Sequence, residues 1–200
     1  ETAEVIQWCQ QQQLPLTLTA CRTSTTGAPV PMGGALLSTE FLSRILSPEE
    51  VEGGVILGDY QRFVESQQLF FPPDPTSRKE CSVGGAIACN ASGARTYRYG
   101  PMRPWVEEIT LVTPEGQILQ VDRHTPSPWP VPAWNPPPVK TAAGYFPADN
   151  LLDLIIGSEG TLGLVVRARL RLIPLPPAVL TFLAYFPDNT SMLSFLQASR

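Results

Sequence analysis

The chain has 200 residues, 43% of them hydrophobic and 16% charged, with a formal net charge of −4 and a pI near 5.0. That balance belongs to a globular chain long enough to bury a core, as one large domain or two small ones, and it argues against intrinsic disorder. The acidic excess and the lack of a dense Lys/Arg run argue against nucleic acid as the main partner, and no apolar run is long enough to span a bilayer.

Residues 2–13 read as a helix with Val5, Ile6 and Cys9 on one face, ended by Leu14-Pro15. The chain opens on Glu1-Thr2-Ala3-Glu4, without methionine and inside that helix, as a fragment would. Leu16–Thr19 alternates as a short strand, and residues 20–34 form a loop rich in Thr, Gly and Pro. Ala35–Leu37 reads as a buried strand, and Phe41, Ile45 and Leu46 suggest a helical turn. Asp59 is a plausible N-cap for a helix over residues 60–69, whose apolar stripe is Tyr60, Phe63 and Val64. Residues 72–82 read as loop and 83–93 as a short helix between tight turns.

Glu108–Val112 and Ile118–Val121, joined through Pro114-Glu115-Gly116, predict a hairpin. Seven prolines between Pro126 and Pro138 predict an extended excursion. Leu151–Ile156 is a predicted helix stopped at Gly157. Val166, Ala168, Leu170 and Leu172 alternate with Arg167, Arg169 and Arg171, a half-buried strand with arginines on its outer face. Pro174, Pro176 and Pro177 mark a boundary, after which Leu180–Phe186 predicts a strand and Asp188 caps an amphipathic helix. There is no internal repeat.

Cys9, Cys21, Cys81 and Cys89 form no CxxC pair, and a reduced intracellular protein is expected rather than two disulfides. Zinc is not expected, because only His124 could join them and it reads as a solvated residue of the proline-rich loop.

The chemical signal lies in two small-residue segments. Ser82-Val83-Gly84-Gly85 through Asn90-Ala91-Ser92-Gly93 is nearly free of bulk, and Gly157-Ser158-Glu159-Gly160-Thr161-Leu162-Gly163 leads into a strand. Such backbone brings N–H groups close to an anion or a flat ring, which points to a large, flat, phosphate-bearing cofactor. The plainer readings are tight turns around a buried helix and a helix C-cap. Asp74 starts a turn or lies near the ligand, Tyr97 and Tyr99 divide between core and ligand wall, and Lys140 is structural or borders the groove. Cys89 reads as a small buried residue rather than a redox group.

These motifs resemble the flavoprotein family of vanillyl-alcohol oxidase and p-cresol methylhydroxylase (PCMH), within the branch of glycolate oxidase FAD subunits and D-lactate or D-2-hydroxy acid dehydrogenases. The resemblance rests on Leu69–Pro75, Ser82–Gly93, Val139-Lys140-Thr141-Ala142-Ala143-Gly144-Tyr145 and Gly157–Gly163, in that order. It implies an α+β, two-subdomain PCMH-type FAD-binding fold over residues 1–176 with its N-terminal strands missing, and the start of a truncated α+β cap domain over 177–200.

The resemblance further implies non-covalent FAD. The pyrophosphate would follow the loop matching residues 20–28, with Arg22, Thr23, Ser24, Thr25, Thr26 and Gly27. The isoalloxazine and ribityl would lie against residues 73–100. In that stretch the expected contacts are Pro73, Asp74, Ser82, Val83, Gly84 and Gly85, then Ala88, Cys89, Asn90, Gly93, Ala94, Tyr99 and Gly100. Glu159 and Gly160 would flank the adenine side, with Leu164 and Val165 beyond. The implied reaction is hydride transfer from a small D-2-hydroxy acid, such as glycolate or D-lactate, to the flavin. Implied partners are that substrate and iron–sulfur or other electron-transfer subunits, in a cytoplasmic setting at most peripheral to a membrane complex. No residue here is expected to be catalytic and none to bind metal, because in this branch those groups belong to the cap. Rival readings are a non-catalytic flavin-fold subunit, a sugar or lactone oxidase of the same superfamily, and an unrelated binding module.

Two departures stand out. Thr19-Ala20-Cys21-Arg22-Thr23-Ser24 occupies the place where the family reads Arg-Gly-Gly-Gly-Thr-Ser. A Cβ at positive φ costs about 1–2 kcal/mol per residue, so another loop path is expected, with Arg22 either pairing with phosphate or pointing to solvent. The stretch between Ile45 and Val55 is also shorter than the pattern at a place that normally holds a complete strand.

Overall fold

The first helix, α1 (Thr2–Gln11), buries Ile6 and Cys9 but leaves Val5 exposed, so its apolar face is narrower than the pattern suggested. The computed structural model describes residues 1–135, 137, 140, 141 and 144–199. Strand β1 (Leu16–Thr19) pairs in parallel with β2 (Ala35–Ser38), Leu16 opposite Ala35 and Thr19 opposite Ser38. Leu36 is exposed, so β2 is only partly covered rather than buried.

Residues 41–46 do not form the expected helical turn. Phe41 points to solvent, and Ile45 bridges Val51 across a reversal closed by the Leu46 N–H donating to the Glu50 carbonyl at 2.9 Å. That reversal leads into β3 (Glu50–Glu52), so the short stretch before Val55 still contains a strand. Helix α2 (Leu57–Glu65) begins earlier than Asp59. The N–H groups of Leu57 and Gly58 find acceptors in the Cys81 and Arg78 carbonyls, at 2.9 and 2.7 Å. A neighbouring loop thus does the work of a side-chain cap. Asp59 sits in the first turn and pairs with Arg62.

Then come β4 (Leu69–Phe70), α3 (Val83–Ala88) and the single turn α4 (Thr96–Tyr99). The predicted hairpin forms as β5 (Val106–Val112) and β6 (Ile118–Asp122), and α5 (Leu151–Ile155) is capped by Asn150 accepting the Asp153 N–H at 2.8 Å. Strand β7 (Leu164–Leu170) carries Arg167 and Arg169 on its exposed face and starts two residues ahead of the alternation, because Leu164 and Val165 already pair with β5. Strands β3, β7, β5 and β6 lie side by side in that order, all antiparallel, while β8 (Ile173–Pro174) pairs with β4.

Leu180–Phe186 is not a strand. Without a paired edge among the described residues its backbone has no ladder to join. It runs exposed, with Phe182 and Phe186 against Phe195 of α6 (Asn189–Ala198), which Asp188 caps as expected.

Apolar packing falls into two clusters. The larger joins α2, α3, α5 and the sheet around Leu57, Tyr60, Phe71, Ile87, Ile109 and Leu152. Its edge-on aromatic contacts run from Tyr60 to Phe71 and on to Trp105 and Tyr99. The smaller packs Ile6, Val112 and Leu164 with Leu16, Leu18 and Leu37.

Candidate functional site

Between β1–β2 and α3 lies a groove with a cavity of about 390 Å³. One wall is the loop that leaves β1, from Ala20 to Thr26. The other is built from Ser82, Gly85 and Cys89 along α3, together with Glu159 and Gly160. Leu164 and Val165 at the start of β7 also line it. Of the residues expected to meet a cofactor, Arg22, Thr23, Ser24, Thr25, Thr26, Gly84 and Ala88 converge on this groove as well.

Within the loop from Ala20 to Thr26, Arg22 alone takes the left-handed region. Arg22 holds φ +55°, and Glu159, across the groove, also holds φ +55°. The backbone N–H groups of Arg22, Thr23, Ser24 and Thr25 donate to no acceptor among the described residues. The hydroxyls of Thr19 and Thr39, each in a residue only 5% exposed, have no hydrogen-bond partner among the described residues. Buried polar groups without partners are rare in folded proteins, and both of these belong to residues that border the cavity.

Residues 1–122 match the family model described as the FAD binding domain. The chain belongs to this family. Among curated relatives, a D-lactate dehydrogenase of Anaerostipes hadrus is 34% identical over 92% of this chain and 36% of its own length. A D-2-hydroxyglutarate dehydrogenase of Xanthomonas citri is 33% identical over 100% of this chain and 40% of the relative. A glycolate oxidase subunit of Bacillus subtilis is 33% identical over 94% and 38%. The chain thus spans two-fifths or less of the length of these relatives. In fold it is similar to alkyldihydroxyacetonephosphate synthase, with a TM-score of 0.71 and 19% identity over 89% of this chain and 31% of that one. The PCMH-type fold expected from the motifs is therefore the fold found.

The groove of this FAD-binding domain fits its cofactor in chemistry. A row of unpaired amides and short hydroxyl side chains suits a diphosphate, and orphaned hydroxyls suit the polar edge of a nucleotide or ribityl chain. Arg22 and Lys140 supply positive charge to the lining against the single carboxylate of Glu159. Lys140 donates to the Ser92 hydroxyl at 3.1 Å, and burial lowers its ammonium below the usual lysine range. Other residues of its motif, Val139, Ala142 and Ala143, lie outside the described residues.

Cys21, Cys81 and Cys89 line the groove as free thiols. Burial is the main cause that raises each above the usual cysteine range, reinforced by Glu40 at Cys21 and Glu159 at Cys89. They are neutral at pH 7. Cys21 lies in the loop expected to follow the pyrophosphate, whereas the pattern gave little hint of Thr39 or Cys81. Thr39 follows β2 as Thr19 ends β1, a symmetry that appears only once the two strands are paired in parallel.

The remaining expected contacts are not among the groove-lining residues. Pro73 offers its carbonyl to Gln61 Nε2 at 2.7 Å, and Asp74 binds Arg78 at 2.9 Å and Arg95 at 3.5 Å. Val83 is fully buried in the larger cluster. Asn90 accepts the Arg103 N–H, and Tyr99 packs between Phe70 and Trp105. A Cβ on Gly93 would stand 1.6 Å from the Asp74 carbonyl oxygen, so its bareness serves protein packing. Ala94 is exposed, Gly100 closes α4 at φ +77°, and Gly27 ends the groove loop at φ +85°. Tyr97 is exposed and His124 lies on an exposed turn.

Proposed function

We propose that this chain holds FAD non-covalently along the groove and forms the cofactor-binding part of an oxidoreductase acting on a small D-2-hydroxy acid such as glycolate or D-lactate. The observation that carries the reading is the row of unpaired amides from Arg22 to Thr25 on the lining of this groove. The substrate class is supported by the names of the relatives, which act on D-lactate, D-2-hydroxyglutarate and glycolate.

When bound, FAD supplies the acceptor for a hydride from the hydroxyl-bearing carbon. The chain's own residues bind and orient. The loop amides and hydroxyls hold the anionic middle of the cofactor. The bare face of Gly85 leaves room for close approach. None of these residues is assigned a proton-transfer role.

Residues 1–176 form the FAD-binding domain in this reading, and 177–200 begin a cap. Val179, Leu180, Leu183 and Tyr185 expose large apolar side chains, as the first segment of a further packed unit would. The glycolate oxidase relative, named as a subunit, supports a multi-subunit setting, in which we place electron-transfer partners. No helix among the described residues is long and apolar enough to cross a membrane.

The test is a visible spectrum of the intact gene product, followed by anaerobic addition of glycolate, D-lactate, D-2-hydroxyglutarate, their L-isomers and a sugar-lactone panel. A flavin band bleached by D-2-hydroxy acids is expected. A protein that stays colourless after soaking in FAD would make it a non-catalytic flavin-fold subunit, and bleaching by sugars alone would move it to the sugar oxidases.

A further inference from the structure

Arg22 sits in the backbone region that glycine occupies without penalty, at φ +55° in the middle of the groove loop. A glycine would hold this path with less strain. Yet the side chain is an exposed guanidinium on the cavity lining. Carboxylates engage Arg44, Arg78, Arg103 and Arg123, whereas Arg22 forms no ion pair among the described residues. Glu159 shares the lining without pairing with it. The strained residue therefore keeps an uncommitted positive charge beside four uncommitted amides.

We propose that Arg22 is a charged clamp on the diphosphate of the bound cofactor, adding a full positive charge to the unpaired backbone N–H groups of its loop. The proposal rests on the FAD reading and adds to it a residue that binds phosphate at the expense of apoprotein stability. Guanidinium–phosphate hydrogen bonds are charge-assisted and sensitive to salt, while the isoalloxazine end of the cofactor carries no phosphate. Arg22 accordingly contributes to FAD affinity, contributes nothing to riboflavin affinity, and strains the free protein.

The experiment uses protein freed of copurified flavin and titrated with FAD and with riboflavin, followed by flavin fluorescence at low and high salt. Arg22→Gly removes charge and strain together. Arg22→Asn removes charge while keeping a residue that tolerates the left-handed region. Both variants are expected to weaken FAD by about 10-fold or more at low salt. The gap should close at high salt, riboflavin binding should be unchanged, and the flavin-free melting temperature of Arg22→Gly should be no lower than that of the parent. Equal FAD affinity in parent and both variants, or an equal loss for riboflavin, overturns the clamp while leaving the FAD reading intact. A parent protein that takes up no FAD at all overturns both.

Discussion

The Asn90 side-chain oxygen accepts the backbone N–H of Arg103 at 2.9 Å, and Asn90 turns to φ +44° at the end of α3. Arg103 in turn donates to the Ile156 carbonyl at 2.6 Å, pairs with Asp153, and lies over the Phe146 ring at 4.0 Å. The Glu159 N–H reaches the Ala88 carbonyl at 2.8 Å. These bonds fix the turn that presents Glu159 to the groove against the helix that forms its wall. Asn90→Ala loses the acceptor for a part-buried amide and places a Cβ-only residue in the left-handed region. Together these should destabilise the protein by about 2–4 kcal/mol. Asn90→Gly loses the bond but not the conformation. Thermal melts are expected to rank the parent above Asn90→Gly and Asn90→Gly above Asn90→Ala, and an inverted order would remove the strain argument.

Adjacent glycines in α3 should respond in opposite ways. A Cβ on Gly84 would stand 2.8 Å from the Gly53 carbonyl oxygen and 3.1 Å from that of Val165, both backbone atoms that cannot swing aside. Gly84→Ala should cost about 1–3 kcal/mol by overpacking, with or without cofactor. A Cβ on Gly85 would meet the Ser82 hydroxyl at 3.1 Å and otherwise only Ala20 at 3.9 Å. Gly85→Ala should melt close to the parent, because alanine favours the helix by about 0.5–1 kcal/mol over glycine. Its methyl enters the groove and should weaken FAD. Melting curves and FAD titrations of the two variants separate packing from ligand approach.

That contrast shows what was legible in the sequence. The absence of bulk around Gly84 and Gly93 was visible, but its cause was not, since the partners that forbid a Cβ are the distant backbone atoms of Gly53 and Asp74. The hairpin and the arginine-faced strand were readable because their alternation is local. Helix α2 began earlier than Asp59 implied because its first amides are capped through space by Arg78 and Cys81. Leu180–Phe186 has strand propensity but no partner edge among the described residues, and strand formation is decided by pairing. The groove loop was found from its neighbours' motifs, whereas the orphaned Thr39 needed the parallel pairing of β1 and β2 to come into view.

Acid should weaken the fold partly through Glu52. Its side chain is 7% exposed and receives the Arg44 backbone N–H at 2.8 Å and guanidinium bonds at 2.9 and 2.7 Å. The hydrogen bonds from Arg44 hold its carboxyl below the usual carboxylate range, against the opposing effect of burial. A depressed folded pKa contributes stability in full above the unfolded value of about 4.3 and loses it as pH falls through the folded value. Glu52→Gln should therefore be less stable than the parent at neutral pH and show a shallower loss between about pH 5 and pH 3. Urea melts at stepped pH check this, and parallel profiles would count against it.

The thiols of the groove give an independent reading of occupancy. Cys21 and Cys89 are half-buried on the lining, whereas Cys9 is buried in α1 away from that groove. Burial raises the Cys21 and Cys89 thiols, so the reactive thiolate is scarce at pH 7 and its fraction grows about tenfold for each pH unit below the pKa. Maleimide labelling of both should be slow at neutral pH and steeply faster in alkaline buffer. FAD bound in the cavity that these residues line should slow their labelling while leaving Cys9 unchanged. Mass spectrometry of labelled peptides with and without FAD decides the matter. Equal labelling of Cys21 and Cys89 in both states would mean that FAD does not lie along this groove, even if the protein binds it elsewhere.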